Sequence, residues 1–280
     1  MPVRALVEAG AFFGMESASV RVALARLLSR ERVERDERGR YRLGAGADAV
    51  SGTIRGWRRL DAQTVEWCGG WVGVYRRRGD ARSLRLAGDR ALSLLGFRAL
   101  EPNLFLRPDN LVGGIDGLRS RLSGMGLEAS ALVFGLGELD SDCEGRAREL
   151  WDLAGLNRAY REAVRVLSRS RGELEGASNE KAMVETFRLG GQAIRQLVLD
   201  PLLPSAIARN EERDALAVRM LDYDVFGRGC WAEFLQKHGV LHLRTPADLR
   251  VAVGTEGLAF IPSPEQIGDP GPQPDSSSIE

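Results

Sequence analysis

The spacing of apolar residues changes repeatedly along this chain, and those changes limit what it can fold into. To about residue 29 they recur every three or four positions, the period of a helix, and from Val33 to Leu43 they alternate, the period of a strand. Between about 64 and 140 short apolar runs alternate with helical stretches, and beyond Asp142 the helical period returns and lasts to about His238. A strand pattern cannot serve as a helix without turning its apolar side chains to water. The chain is therefore read as α+β, with a small mixed unit at 1–44, a connecting helix at 45–63, a mixed domain at 64–140, a helical domain at 141–245 and a disordered tail at 262–280, where prolines stand among acids and serines.

The opening unit carries the most specific pattern. Pro2 suits a first helical turn, Leu6, Val7 and Phe13 are apolar positions, and Gly14 suits a helix end that needs a left-handed residue. A second helix over Ser17 to Ser29 places Val20, Ala23, Leu24, Leu27 and Leu28 in a buried stripe, with Ala18, Arg21, Val22, Arg26 and Ser29 on or beside the opposite face. Val33, Tyr41 and Leu43 then point inward from a hairpin whose turn contains Gly39. Helix, turn, helix and basic hairpin is the pattern of a winged helix-turn-helix. It predicts DNA contacts from Ser19, Arg21, Val22 and Arg26, with Arg38 and Arg40 reaching from the wing. The alternative is a small surface subdomain with a solvated basic face.

The middle reads as strand 67–75, helix 83–95, strand 96–100, strand 104–106, helix 111–122 and strand 131–136. That order, βαββαβ, predicts a ferredoxin-like antiparallel sheet with two helices on one face and edge strands able to pair with another copy. The helical domain carries apolar stripes at Leu150, Leu153, Leu156, Tyr160, Val164 and Leu167, and at Phe187, Ile194, Leu197 and Val198.

Three stretches resemble the PaaX family, the repressors of bacterial phenylacetate catabolism and their relatives. They are Ser19-Val20-Arg21-Val22-Ala23-Leu24-Ala25-Arg26-Leu27; Gly70-Trp71 followed by Arg85 and Leu92-Ser93-Leu94-Leu95-Gly96-Phe97; and Arg195 followed by Leu199-Asp200-Pro201-Leu202-Leu203-Pro204. The likeness covers nearly the whole chain except the tail. It implies a homodimeric transcription regulator that binds double-stranded operator DNA and is released by an acyl-CoA, phenylacetyl-CoA in the type member. The sequence departs from the family in two places. Members carry a further helix ahead of the one that begins here beside Met1, and Arg209-Asn210-Glu211-Glu212-Arg213-Asp214 stands where Trp-Pro-Gly is the family pattern. The second departure bears on which acyl-CoA, aromatic or otherwise, is the effector.

Charge and titratable residues bound the chemistry. Thirty-nine basic residues balance thirty-nine acidic ones, but residues 1–61 carry twelve Arg against eight acids, so any basic surface comes from local segregation. Cys68, Cys143 and Cys230 form no paired pattern, which with the absence of a long apolar run favours a cytoplasmic protein without disulfides or a membrane span. His238 and His242 lack a strong third ligand, and Asp140-Ser141-Asp142 opens a calcium-loop pattern that ends on Trp151 instead of Glu, so no metal is expected. Cys68 beside Trp67 and Trp71 reads as a small core residue, and Asp222-Tyr223-Asp224 as exposed acids at a helix end. With no nucleophile beside a base, no enzyme and no cofactor are expected. A ligand sensor needs only a pocket with a few convergent polar groups. Trp71, Arg85 and Arg195 are the candidates for an acyl-CoA effector, against the reading that Trp71 is core and both arginines are ion-paired. The competing functional classes are an acyl-CoA-binding or scaffold protein without specific DNA binding, and an enzyme.

Overall fold

The computed structural model describes residues 1–36, 38–44, 56–77 and 82–240. They belong to the first of two units, Met1–His242 and Leu243–Glu280. The tail at 262–280, His242 and the first part of the connector lie outside the described residues.

Two helices, α1 (Val3–Phe12) and α2 (Ser17–Ser29), precede a hairpin of β1 (Val33–Arg35) and β2 (Tyr41–Leu43). Gly14 turns the chain between the helices at φ +73°, the left-handed conformation anticipated for it. The helices meet closely at Gly10, where a Cβ would stand 2.6 Å from Val20 Cγ2. The hairpin pairs Val33 with Leu43 and Arg35 with Tyr41, and its turn is held by Asp36 Oδ1, which accepts from the amides of Arg38 at 3.1 Å and Arg40 at 2.7 Å. Met1 adds to the outer side of this ribbon: its amine donates to Tyr41 O and its carbonyl accepts from Tyr41 N at 2.7 Å, with Pro2 bridging Arg40. Leu27, expected in the buried stripe of α2, is 38% exposed. Among the described residues only α1 and β1 pack substantially on α2, and they cover the side that carries Val20 and Leu24.

Of the connector, two short 3-10 helices are described, Gly56–Arg59 and Asp61–Gln63. There follow β3 (Trp71–Tyr75), α3 (Arg82–Leu94), β4 (Arg98–Glu101), β5 (Leu104–Pro108), α4 (Gly114–Gly124) and β6 (Leu132–Leu136). They form one antiparallel sheet in the order β4-β5-β3-β6, with β4 and β6 at its edges. The first strand is shorter than its apolar run, because Gly69 turns at φ +88° and Trp67 folds back to donate to Gly70 O at 2.5 Å. Cys68, expected in the core, is exposed at this turn.

Side chains alternate across β3, so its two faces build two cores. Val72 and Val74 pack with Leu92 of α3 and with Leu118 and Leu122 of α4, in a cluster that continues into the helical region. That region comprises α5 (Ser141–Arg148), α6 (Leu153–Leu174), α7 (Asn179–Val198) and α8 (Glu211–Lys237). Trp71 on the other face packs with Leu106, Ala147, Trp151 and Leu203. The helices α3 and α4 thus cover one face of the sheet, and Ala147, Trp151 and Leu203 pack on the other. Asp222 and Asp224 lie within α8 and not at a helix end: Asp224 pairs with Arg58 at 2.8 Å and Arg228 at 2.9 Å, while the Tyr223 hydroxyl is buried 2.8 Å from Ser170 Oγ.

Candidate functional site

The outward face of α2 is open. Ser19, Arg21, Val22 and Arg26 are all exposed, Val22 by 50%, and the Arg21 guanidinium makes no ion pair among the described residues. The helix can present small side chains flanked by two guanidiniums because Val20 and Leu24 alone are fully buried. The hairpin adds a groove of about 510 Å³ bordered by Arg4, Arg35, Arg38 and Arg40, together with His238 and Gly239. Arg38 is exposed at the turn, as the sequence pattern anticipates, whereas the Arg40 guanidinium donates to Gly239 O at 2.9 Å just beyond α8. Arg40 therefore ties the hairpin to the helical region. Arg4 and Arg35 were not singled out by sequence. They reach the groove because Pro2 pairs with the hairpin and brings the start of α1 beside it.

This N-terminal unit is seated on α7 and α8. Ala5, fully buried, packs with Met183 and Phe234, and Phe12 and Phe13 meet Phe234 and Phe187 edge-on at 5.5 and 5.3 Å. Glu8 closes the contact, 2.9 Å from Lys237 Nζ and 3.0 Å from His238 Nε2. His238 is accordingly part of the contact between α1 and the end of α8. Among the described residues no group of three or more His, Cys, Asp or Glu could hold a metal ion.

Of the proposed effector contacts, Trp71 is 1% exposed, its Nε1 donates to Glu144 Oε2 at 2.7 Å, and it stacks on Trp151 at 6.4 Å. It is a core residue. Arg85 lies on α3, which packs on the opposite face of the sheet, and Arg195 is exposed on α7. Trp71 and Arg85 therefore do not share a site.

A different pair of arginines converges where connector, sheet and helical region meet. Arg107 on β5 is 1% exposed. Its Nε donates to Pro108 O at 3.0 Å, Nη1 to Leu95 O, and Nη2 to Asn110 Oδ1 at 2.9 Å and Pro201 O at 3.5 Å. Asn110 Nδ2 in turn donates to Leu202 O at 2.8 Å. The Asp200-Pro201-Leu202 turn is fixed from the other side, since Asp200 accepts from the Tyr160 hydroxyl and from Leu202 N at 2.6 Å, with Arg213 at 3.9 Å. Burial, then the nearby charge of Arg121, pushes the Arg107 guanidinium down to about 9. Burial raises the carboxyl of Asp200 and the phenol of Tyr160 and lowers Arg121. Arg107 and Arg121 line one cleft with Trp57, Gln63, Leu197 and Asp200.

The elements define an α+β protein in which a helix pair with a basic hairpin is mounted on a sheet-and-helix body. No family model matches the chain, and no curated protein is significantly similar to it. Among solved structures it is similar to the uncharacterized protein Rv0674 from Mycobacterium tuberculosis, at 21% identity over 82% of this chain and 91% of that one, with a TM-score of 0.50. That likeness is one of fold. No helix among the described residues is long and apolar enough to cross a membrane.

Proposed function

We propose that this protein is a DNA-binding transcriptional regulator, a PaaX-like cytoplasmic repressor of a catabolic operon that binds operator DNA as a homodimer and is released by an aromatic or other acyl-CoA. The observation that carries the reading is the outward face of α2, where Ser19, Arg21, Val22 and Arg26 are exposed together beside the arginine-bordered groove of the hairpin. Small residues let a helix approach base edges closely, and the flanking guanidiniums meet phosphates or guanine. Helix, helix and hairpin, with Met1 and Pro2 bridged to the outer edge of the hairpin, support reading residues 1–44 as a winged helix-turn-helix with α2 as its recognition helix. The βαββαβ connectivity and the order β4-β5-β3-β6 support a ferredoxin-like middle domain.

One recognition helix covers few base pairs, so a two-fold dimer on an inverted repeat supplies the remaining selectivity. The test is footprinting of the full chain on the DNA upstream of its own gene. Protection of two inverted half-sites spaced by about one helical turn supports the reading. Uniform, sequence-independent protection at every protein concentration contradicts it.

A further inference from the structure

The two edges of the sheet are finished differently. At β4 the ladder carries a bulge between Ala99 and Glu101, and Arg146 of α5 lies along the outside, donating to Leu100 O at 3.4 Å and pairing with Glu101 at 2.5 Å. A bulge and a fixed charge keep an edge from pairing with another strand. At β6 the ladder has no bulge and runs in register with β3 over the whole strand. We propose that β6 is the surface through which two copies of this chain pair, antiparallel and about a two-fold axis at Phe134, so that two four-stranded sheets become one. The pair is the homodimer of the regulator reading and rests on that reading for its use, but its chemistry does not involve DNA.

Backbone geometry decides which groups point outward. Alternate residues of a central antiparallel strand bond to opposite neighbours. Gly70 O accepts from Asp109 N at 3.0 Å and Arg76 N donates to Asn103 O at 2.9 Å, so the even positions of β3 face β5 and Trp71, Gly73 and Tyr75 face β6. Their partners are Leu136, Phe134 and Leu132, which leaves the N–H and C=O of Val133 and Gly135 directed away from the sheet. Val133 O accepts from Arg119 at 2.9 Å, and the other three groups bond to nothing among the described residues. Because α4 packs on one face of the sheet, Arg119 comes to that oxygen from above, and the second lone pair stays open in the plane of the strands. Three two-fold registers join these outward groups, and charge chooses between them. Ile115 stands over Gly135 and Arg119 over Val133, so Asp116 is level with the first and Arg119 with the second. An axis at Val133 sets Arg119 against Arg119 of the second copy, and an axis at Gly135 sets Asp116 against Asp116. An axis at Phe134 pairs Val133 with Gly135 of the second copy through reciprocal N–H···O bonds and sets each exposed Asp116 level with the other copy's Arg119. It also overlaps the whole strand, placing Phe134 opposite Phe134 and Leu132, 53% exposed, opposite Leu136 in one apolar stripe. A groove of about 540 Å³ along β6, bordered by Leu127, Ala131 and Leu132, leaves room for the second strand.

The test is sedimentation equilibrium of the full chain, without DNA, over chain concentrations from about 1 to 100 μM. The expected result is a reversible equilibrium between one chain and two. Leu132→Lys places an ammonium group in the apolar stripe and should raise the dissociation constant about tenfold or more. Leu132 is exposed, so this variant should keep the circular dichroism of wild type, and its lost dimer is then not a lost fold. Asp116→Arg and Arg119→Glu should each weaken the dimer about threefold, and the double variant, which restores opposite charges in reverse order, should return toward wild type. A purely structural role for either residue would not give that rescue. The proposal is overturned if the wild-type chain stays monomeric throughout, if Leu132→Lys dimerises as well as wild type, or if the double charge variant is no tighter than the single ones. A dimer indifferent to Leu132→Lys would leave the homodimer of the regulator reading standing on another surface. A chain that dimerises through β6 yet protects no half-sites on DNA would strike the regulator reading alone.

Discussion

Replacing Asp200 tests whether the turn after α7 clasps the helical region to the sheet. Its carboxylate accepts from two buried donors, the Tyr160 hydroxyl and the Leu202 amide at 2.6 Å, and Leu202 sits in the left-handed region at φ +51°. Asp200→Ala orphans both donors, at about 1–3 kcal/mol each. It also releases the acceptor that holds Leu202 in a conformation costing about 1–2 kcal/mol. Some of this is returned because a buried carboxylate no longer has to be desolvated, so the net loss should be about 2–5 kcal/mol. Asp200→Asn keeps the size and the oxygen that faces Leu202, and should stay within about 1 kcal/mol of wild type.

The pH dependence has a definite sign. Burial raises the folded carboxyl above its ordinary 3.8, so just above that pH the native chain retains a proton that the unfolded chain has released. The contribution of Asp200 to stability is therefore greatest below 3.8 and falls as pH rises through the folded value. Asp200→Asn should remove that downward slope. The assay is urea unfolding followed by tryptophan fluorescence, at pH 7 and in steps toward pH 4. An Asp200→Ala variant within about 1 kcal/mol of wild type, or an Asp200→Asn variant as damaged as it, would refute the reasoning.

Other substitutions probe separate parts of the account. Gly88→Ala on α3 would put a Cβ 2.4 Å from Glu128 Oε2 and 2.7 Å from Arg76 Nη2, against a buried ion pair, and should cost about 1–3 kcal/mol in chemical denaturation. Trp71→Phe removes the hydrogen bond to Glu144 and leaves a cavity against Trp151 and Leu106, and should lower stability by about 2–4 kcal/mol in chemical denaturation. Arg40→Ala frees the hairpin from Gly239 and should speed amide exchange in β1 and β2 while exchange in β3 stays as it was, measured by hydrogen exchange with mass spectrometry.

The residues that were legible in the sequence are those whose partners are local. The outward set of α2 follows from its helical period, and Gly14 follows from the helix end it terminates. The order of strands and helices in the middle domain follows from alternation, although the first strand begins only at Trp71 because Gly69 turns the chain. Leu27 was misplaced because a helical wheel shows which side is apolar but not how much of it a neighbour covers. Cys68 was misplaced because its aromatic neighbours in sequence turn away from it: Trp67 folds back onto Gly70 and Trp71 enters the sheet. The cleft was out of reach. Arg107 meets Pro201 and Asn110 meets Leu202 across some ninety positions, and no periodicity couples a strand arginine to a turn that far along the chain. What did signal it was an arginine inside an apolar strand, Leu104-Phe105-Leu106-Arg107, where burial demands a partner.

The central claim is that α2 reads DNA, and its most direct measurement is the salt dependence of binding by fluorescence anisotropy. Wild type would be compared with an Arg21→Ala, Arg26→Ala double variant on the DNA upstream of the gene. Both side chains are exposed, so the variant should fold as wild type does. Each arginine that touches a phosphate should lower the slope of log K against log salt by about 0.9, and each that reads a base should cost about 1–3 kcal/mol. The account predicts a shallower slope and a loss of at least about tenfold in affinity at fixed salt. A folded double variant with the affinity and the slope of wild type would contradict it.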